Sequence, residues 1–457
     1  MIRTKWALVA PVVFSVLFTT AQNVYSAGFA IIEQSVSGLG NAFAGGSAST
    51  NDASAMYYNP ASMMQLEGKP LNFGLHAISP SIKFTNNDST RGIGGFSTGG
   101  NGGDAGVTGV VPNFYFVMDV DENTKFGIGI NAPFGLATSY ENDWVGRYQS
   151  VDSEIQTVNI NPSLAFNMTP SLSFGLGFSL QYINAELTNA VDLGTVCFGM
   201  AADADIPVSA ADCVTGGLTP GDVGSDGYAK VSGDSWSMGY NLGFLYALDQ
   251  NTNISVAYRS KVKQSLGGDA DFTLSEGAQG IDVMNLVFAD TGVSANVTLP
   301  ETASFSGSHK ISDKWKIMAD VTFTKWSRFS ELVLEFDNPN KPKTVEENRW
   351  EDSMRFSVGA DWIVIPVLTL RTGLAYDEGA SQDKVYRSPR VPDSDRTWLA
   401  LGLTYRITQK ASLDAGYAHL FLSNSDIERT NSGTGDTLIG SYESSVDILS
   451  AAFNWVF

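Results

Sequence analysis

Arg259, Arg371 and Arg396 each stand one residue out of step with the large apolar side chains of their own segment, and so does Arg355. In an extended chain that phase puts the guanidinium on the face opposite the apolar one. A flat fork of N–H donors on such a face suits a carboxylate. The carboxylate could belong to a ligand, or to an acid of the chain itself such as Asp320 or Asp361, which is the usual structural state. Lys261 and Lys263 keep the phase of Arg259.

The other reactive residue types support less chemistry. His76, His309 and His419 fall in separate segments, and no recognisable motif pairs one with a serine, so no catalytic residues are assigned and no enzyme is expected. Cys197 and Cys213 share one loop-like stretch of Gly, Asp and Pro. A local disulfide competes there with a metal site, and two cysteines without a nearby histidine make a poor metal site. No metal and no cofactor are expected. Gly38-x-Gly40 is not preceded by a strand, so it is no nucleotide loop. Asn59-Pro60-Ala61 occurs once; Pro60 keeps Asn59 out of the helical region, and the Asn59 side chain is suited to cap nearby amides.

The elements that must position these residues follow from composition and period. Arg3 and Lys5 precede an apolar run from Trp6 to Phe18, and Val24 and Ser26 occupy the −3 and −1 positions of a cleavage site before Ala27. Residues 1–26 read as a signal peptide, the run being too short for a spanning helix. Without Arg3 and Lys5, 26 Lys and Arg face 48 Asp and Glu, a net charge of −22. That acidity argues against a nucleic-acid partner but not against a membrane. Charged residues are 17% of the chain, below the roughly one quarter of soluble domains.

Period-two alternation recurs along the chain. Leu172, Phe174, Leu176, Phe178, Leu180 and Tyr182 are interleaved with Ser173, Gly175, Gly177, Ser179 and Gln181. Trp236 to Tyr246 and Leu399 to Tyr405 repeat the pattern, which is that of strands with one apolar and one small polar face. Tight turns alternate with long polar loops. Strands are predicted at 70–85, 108–118, 124–138, 154–168, 171–188, 231–248, 252–267, 295–310, 314–327, 352–364, 367–377, 395–407, 411–422 and 444–457. Fourteen alternating strands, short turns at one end and long loops at the other describe an all-β fold, a 14-stranded antiparallel transmembrane β-barrel, rather than a soluble sandwich. The ending Phe453-Asn454-Trp455-Val456-Phe457 resembles the assembly signal of such barrels.

Residues 27–69 do not alternate. They are rich in Gly, Ala, Ser and Asn, with Phe29, Ile31, Ile32, Val36, Leu39 and Phe43 spaced as in a small helical hatch. A disordered tail is the alternative; interleaved apolar residues and low charge favour a partly helical N-terminal plug inside the lumen of a barrel formed by 70–457. Asn59, Pro60 and Ala61 would end the hatch and anchor it to the wall.

With these elements placed, the chain resembles the outer-membrane long-chain fatty acid transporter family of FadL type. The resemblance rests on Ser26-Ala27-Gly28-Phe29, Gly38-Leu39-Gly40, Asn59-Pro60-Ala61, Tyr258-Arg259-Ser260, Leu299-Pro300-Glu301, Trp326-Ser327, Arg371-Thr372-Gly373 and Pro392-Asp393-x-Asp395-Arg396-x-Trp398. It implies passive uptake of long-chain fatty acid, or of aromatic or alkane hydrocarbon, by way of an outer groove, a lumenal pocket and a lateral gap at a kink in the third strand. The matching stretch there holds Pro133, Phe134, Gly135 and Ala137; Pro lacks a ladder donor and Gly permits a bulge, though a rim bulge would look the same. Bulky residues at Gly135 and Ala137 are expected to close such a gap. Arg396 is the favoured ligand contact because it lies within a matched motif. The loop at 268–293, with Ile281, Leu286 and Phe288, is too apolar for a surface facing water alone. It could form one wall of the groove against the loop of Cys197 and Cys213, or simply pack on it. Asn184 stands where the family has an arginine, which favours a neutral substrate. The expected surroundings are outer-membrane lipid, lipopolysaccharide and the barrel-assembly machinery, with the chain as a monomer.

Overall fold

The computed structural model describes residues 28–457; the expected signal peptide lies outside the described residues. Twenty strands join in one antiparallel sheet. They are β1 (Pro70–Asn86), β2 (Gly109–Asp121), β3 (Thr124–Asn131), β4 (Gly135–Ser139), β5 (Asp152–Thr169), β6 (Leu172–Val191), β7 (Gly227–Ala247), β8 (Thr252–Arg259), β9 (Val262–Thr273) and β10 (Thr291–Leu299). They continue with β11 (Thr302–Ser312), β12 (Trp315–Thr324), β13 (Glu331–Phe336), β14 (Thr344–Glu347), β15 (Ser353–Ile365), β16 (Leu368–Asp377), β17 (Arg396–Arg406), β18 (Ala411–Leu422), β19 (Ser425–Thr430) and β20 (Thr437–Val456).

The pairs β3/β4, β8/β9 and β10/β11 are halves of single spans, and β13, β14 and β19 belong to outer loops, which leaves fourteen spans. β1 pairs with β20 from Pro70↔Val456 to Asn86↔Gly440 and closes the barrel, so the ladder has no free edge to expose to hydrocarbon. Among the described residues no helix is long and apolar enough to cross a membrane. Outward-facing residues such as Leu399, Leu401 and Tyr405 are exposed, and their inward neighbours Trp398 and Ala400 are buried, the alternation that lipid on one side and a filled lumen on the other select.

The predicted spans agree with those found except at two breaks. The span predicted at 252–267 is interrupted at Ser260-Lys261, where the Ser260 amide donates to the Tyr240 carbonyl at 2.8 Å. The alternation changes phase there: Val262 is buried and Lys263 exposed, so Lys263 does not share the lumenal face of Arg259. The span predicted at 295–310 breaks at Pro300, which has no donor for the ladder.

Residues 28–69 fill the lumen as short helices at Val36–Leu39 and Ala55–Tyr58 and a 3₁₀ turn at Pro60–Gln65. The Ser35 hydroxyl caps the first, accepting from the Gly38 amide at 3.0 Å. Small residues on the inner wall let hatch backbone lie directly on the sheet: a Cβ at Gly373 would come within 2.1 Å of the Asn41 carbonyl carbon, and one at Gly402 within 2.6 Å of Gly40 Cα. Ala42 and Phe43 take positive φ values of 50° and 55°, a costly conformation for non-glycine residues. The Arg355 guanidinium holds this bend by donating to the Ala42 carbonyl at 2.8 Å.

Candidate functional site

Two cavities lie one above the other inside the barrel. The outer one, about 880 Å³, is lined mainly by aliphatic side chains of β5, β6, β9 and β10, among them Ile155, Ile183, Leu266 and Val293. Its charged lining residues are Arg390 and Glu346, whose side chains approach at 3.6 Å. Arg390 also donates to Ser153 Oγ at 3.0 Å and to the Thr188 carbonyl at 3.2 Å, which ties its loop across the barrel to β5 and β6.

The inner chamber, about 1050 Å³, is lined by Arg259, Arg355, Asp320, Asp377, Tyr57 and Tyr58, and by Pro133 and Phe134 on one wall. An aromatic septum divides the two. The ring of Phe29 lies 5.0 Å from Trp326, 5.4 Å from Phe329, 5.6 Å from Trp350 and 6.0 Å from Phe134, centroid to centroid. Phe29 faces the outer cavity and Trp326 the inner one.

The ladder is interrupted at the third span. β3 keeps its ladder with β2 only as far as Phe114↔Ile130, and β4 pairs with β5 but not with β2. Between them Ala132, Pro133 and Phe134 turn away from the sheet. The hatch takes up the freed groups: the Ile31 amide donates to the Pro133 carbonyl at 2.8 Å and the Gly135 amide to the Phe29 carbonyl at 2.9 Å, with Ala30 and Phe134 bridged antiparallel. Gly135 packs closely on the hatch: a Cβ there would sit 2.7 Å from Ile31 Cδ1, the flexible end of that side chain. A bulky residue at 135 would therefore strike the hatch instead of filling a gap in the ladder.

The hatch is fixed at both ends. The Gly28 amide donates to Asp393 at 3.1 Å. At the other end Asn59, fully buried, donates to the carbonyls of Ser47 at 3.0 Å and of Phe244, on the barrel wall, at 3.1 Å. Its Oδ1 accepts from the Ala61 amide at 2.9 Å, and Pro60 opens the 3₁₀ turn that follows.

Of the arginines picked by phase, Arg259 and Arg355 border a cavity; the Arg259 guanidinium lies 4.3 Å from the Tyr57 ring centroid and donates to the Tyr57 carbonyl at 2.7 Å. Arg396 is bonded to Asp393 and lies 3.8 Å from Asp377. Arg371 meets Asp361 at 3.5 Å and Asp414 at 3.8 Å. Arg396 and Arg371 line neither cavity; their charges are met by the protein's own carboxylates. Ile281 and Phe288 are buried between the two outer loops with Leu193, Leu218, Cys197 and Cys213, while Leu286 is exposed. Cys197 and Cys213 are disulfide-bonded.

Phase could not reveal Arg390, which lies on an irregular loop, nor Glu33. Glu33 is 0% exposed and neither carboxyl oxygen has a hydrogen-bond partner. Burial pushes its pKa from 4.5 up to about 8, against the pull of its own backbone amide and of Arg355 and Arg396, and with a smaller push from Asp377. The seated hatch thus keeps the proton, and a displaced hatch, with Glu33 in water, releases it at the ordinary value. Seating is favoured below pH 4.5 and loses this advantage progressively as pH rises toward about 8. Amide exchange of residues 28–34, referred to intrinsic rates, is expected to rise across that window in the native chain and to be flat in Glu33→Gln; a flat native profile would refute the linkage.

A closed fourteen-span barrel with lipid-facing apolar residues, an internal hatch and an apolar cavity define an outer-membrane transport protein for hydrophobic substrates. Residues 17–457 match the family described as outer membrane protein transport protein (OMPP1/FadL/TodX), and the chain belongs to that family. It is 31% identical over 403 residues to a long-chain fatty acid transport protein of Escherichia coli O6:H1, covering 87% of each chain. Its fold matches the crystal structure of a Pseudomonas aeruginosa FadL homologue with a TM-score of 0.85 at 24% identity, covering 94% of this chain and 100% of that one. It also matches the Pseudomonas putida toluene transporter TodX with a TM-score of 0.66 at 18% identity, covering 95% and 99%. The family's named members are transport proteins, not enzymes.

Proposed function

We propose that this chain takes up long-chain fatty acids by passive diffusion. The observation that carries this reading is the outer cavity, whose walls are mainly apolar, aliphatic side chains together with the rings of Phe29, Phe329 and Trp350, and whose one cationic group is Arg390. An acyl chain gains about 0.8 kcal/mol per methylene withdrawn from water, and Arg390 offers the carboxylate a charge-assisted contact in place of Glu346. Substrate lands on the apolar outer loops, where Leu286 is exposed, enters the cavity, and leaves sideways into the bilayer beside Pro133 and Phe134 when the hatch gives way. Lateral exit spares an oily molecule a passage through periplasmic water. The homology to a fatty acid transport protein supports the same choice.

The test is equilibrium binding of saturated fatty acids to the purified barrel. Affinity is expected to fall roughly fourfold per methylene removed, and Arg390→Met should weaken oleate about tenfold more than methyl oleate. Equal loss for both would remove Arg390 from the carboxylate site. A second reading, neutral aromatic or alkane hydrocarbon, is favoured by the ion pair of Arg390 with Glu346, which leaves no free charge in the cavity; Asn184, one residue out of phase with the lining Ile183 and Ala185, faces neither cavity. Tighter retention of toluene than of oleate would select it.

A further inference from the structure

The inner chamber carries a feature that a mere vestibule does not need. Arg355, on β15, is 5% exposed and lines the chamber. Nη2 is engaged by the Ala42 carbonyl and the guanidinium lies 5.1 Å from the Trp398 ring centroid and 5.8 Å from that of Phe43, but Nε and Nη1 are buried without a hydrogen-bond partner. Trp326, fully buried on the same chamber, has an unpartnered Nε1 as well. Unmet buried donors of this kind are costly, most of all on a cation.

The other charges around the chamber are already occupied. Arg259 is held by Tyr57. Asp320 accepts from Ser306 and from Thr322, the latter at 2.7 Å. Asp377 lies 3.8 Å from Arg396. Glu33 of the hatch feels Arg355 as its foremost charged neighbour yet makes no hydrogen bond to it. Arg355 is thus left with two open donors, beneath the septum, in a chamber whose wall includes Pro133 and Phe134.

We propose that the inner chamber is a second, transient binding site for the substrate's carboxylate, received by Arg355 Nε and Nη1 after the headgroup leaves the outer cavity. The inference rests on the fatty acid reading above. It gives the route a polar step: the acyl chain crosses the septum among aromatic rings while its charged end moves from Arg390 to Arg355. The headgroup then waits beside the interrupted wall.

The experiment is uptake of radiolabelled oleate and oleyl alcohol into proteoliposomes containing the full barrel, as native chain, Arg355→Met and Arg355→Lys, with folding checked by heat-dependent gel mobility. The expected result is a fall of about tenfold in the oleate-to-alcohol uptake ratio for Arg355→Met, restored to within about threefold by Arg355→Lys. An unchanged ratio in Arg355→Met overturns the site, as does equal loss of both substrates in both variants, which would mark Arg355 as a support for the Ala42 bend alone. Oleate binding at equilibrium separates the two readings. If the native chain binds and carries oleate while the ratio ignores Arg355, only the transit site fails. If the native chain carries the alcohol and excludes oleate, the fatty acid reading fails and the transit site with it.

Discussion

Cells whose only copy carries Ala30→Cys with Phe134→Cys will take up no more oleate than cells lacking the protein when the pair is oxidised, and will regain uptake on reduction. Ala30 and Phe134 face each other as an antiparallel bridge between the hatch and the displaced residues of the third span. Opposed residues of such a pair have Cα atoms about 4.5–5.5 Å apart, inside the span of roughly 4.4–6.8 Å that a disulfide needs. The bond would fix the hatch where the Ile31 amide and Gly135 amide already hold it. The native disulfide lies within the single loop between β6 and β7, and the reduced form controls for the loss of the Phe134 ring. Uptake that persists at the native rate in fully cross-linked protein would show that substrate leaves elsewhere.

Phe29→Ala will loosen the hatch without unfolding the barrel. Phe29 is 1% exposed and packs against four rings. Truncating a buried Phe to Ala costs about 3–5 kcal/mol. Here that cost falls on a segment that opens separately from the sheet, so local exchange should report it. Protection of the Ile31 and Gly135 amides is expected to drop on the order of 10²–10³-fold, while strands such as β17 and β18 keep theirs. The same change joins the two cavities, and leakage of small hydrophobic probes should rise. Unchanged protection at Ile31 and Gly135 would mean that the backbone bonds alone hold the hatch.

The spans were legible because lipid and lumen impose opposite demands on successive residues; Leu172 to Tyr182 could form little else. The kink was legible at Pro133, where a missing donor is visible in the letter itself. The break at Ser260-Lys261 was not, because neither residue forbids pairing, and the change of phase that sends Lys263 outward depends on a bond to Tyr240 from the neighbouring strand. Phase correctly turned Arg371 and Arg396 inward. It named Asp361 only as one possible partner and could not say that Asp361, Asp414, Asp377 and Asp393 in fact meet them, since an acid close in sequence, such as Asp393, or on a neighbouring strand is paired only by the folded geometry. Arg390 belongs to a loop without period, and the cavity it lines is assembled from that loop and from strands spread between β4 and β14.

Phe29 belongs to two structures at once: it is a wall of the outer cavity and a member of the septum. Anything that fills that cavity differently in the seated and displaced states of the hatch must shift the balance between them, by no more than the difference in affinity. The linkage is reciprocal. A molecule that binds better when Phe29 has moved promotes its own passage, and one that packs well against the seated ring is retained as an inhibitor. Selectivity in this protein is then a property of which state a ligand prefers, and the tightest binder need not be the fastest one through.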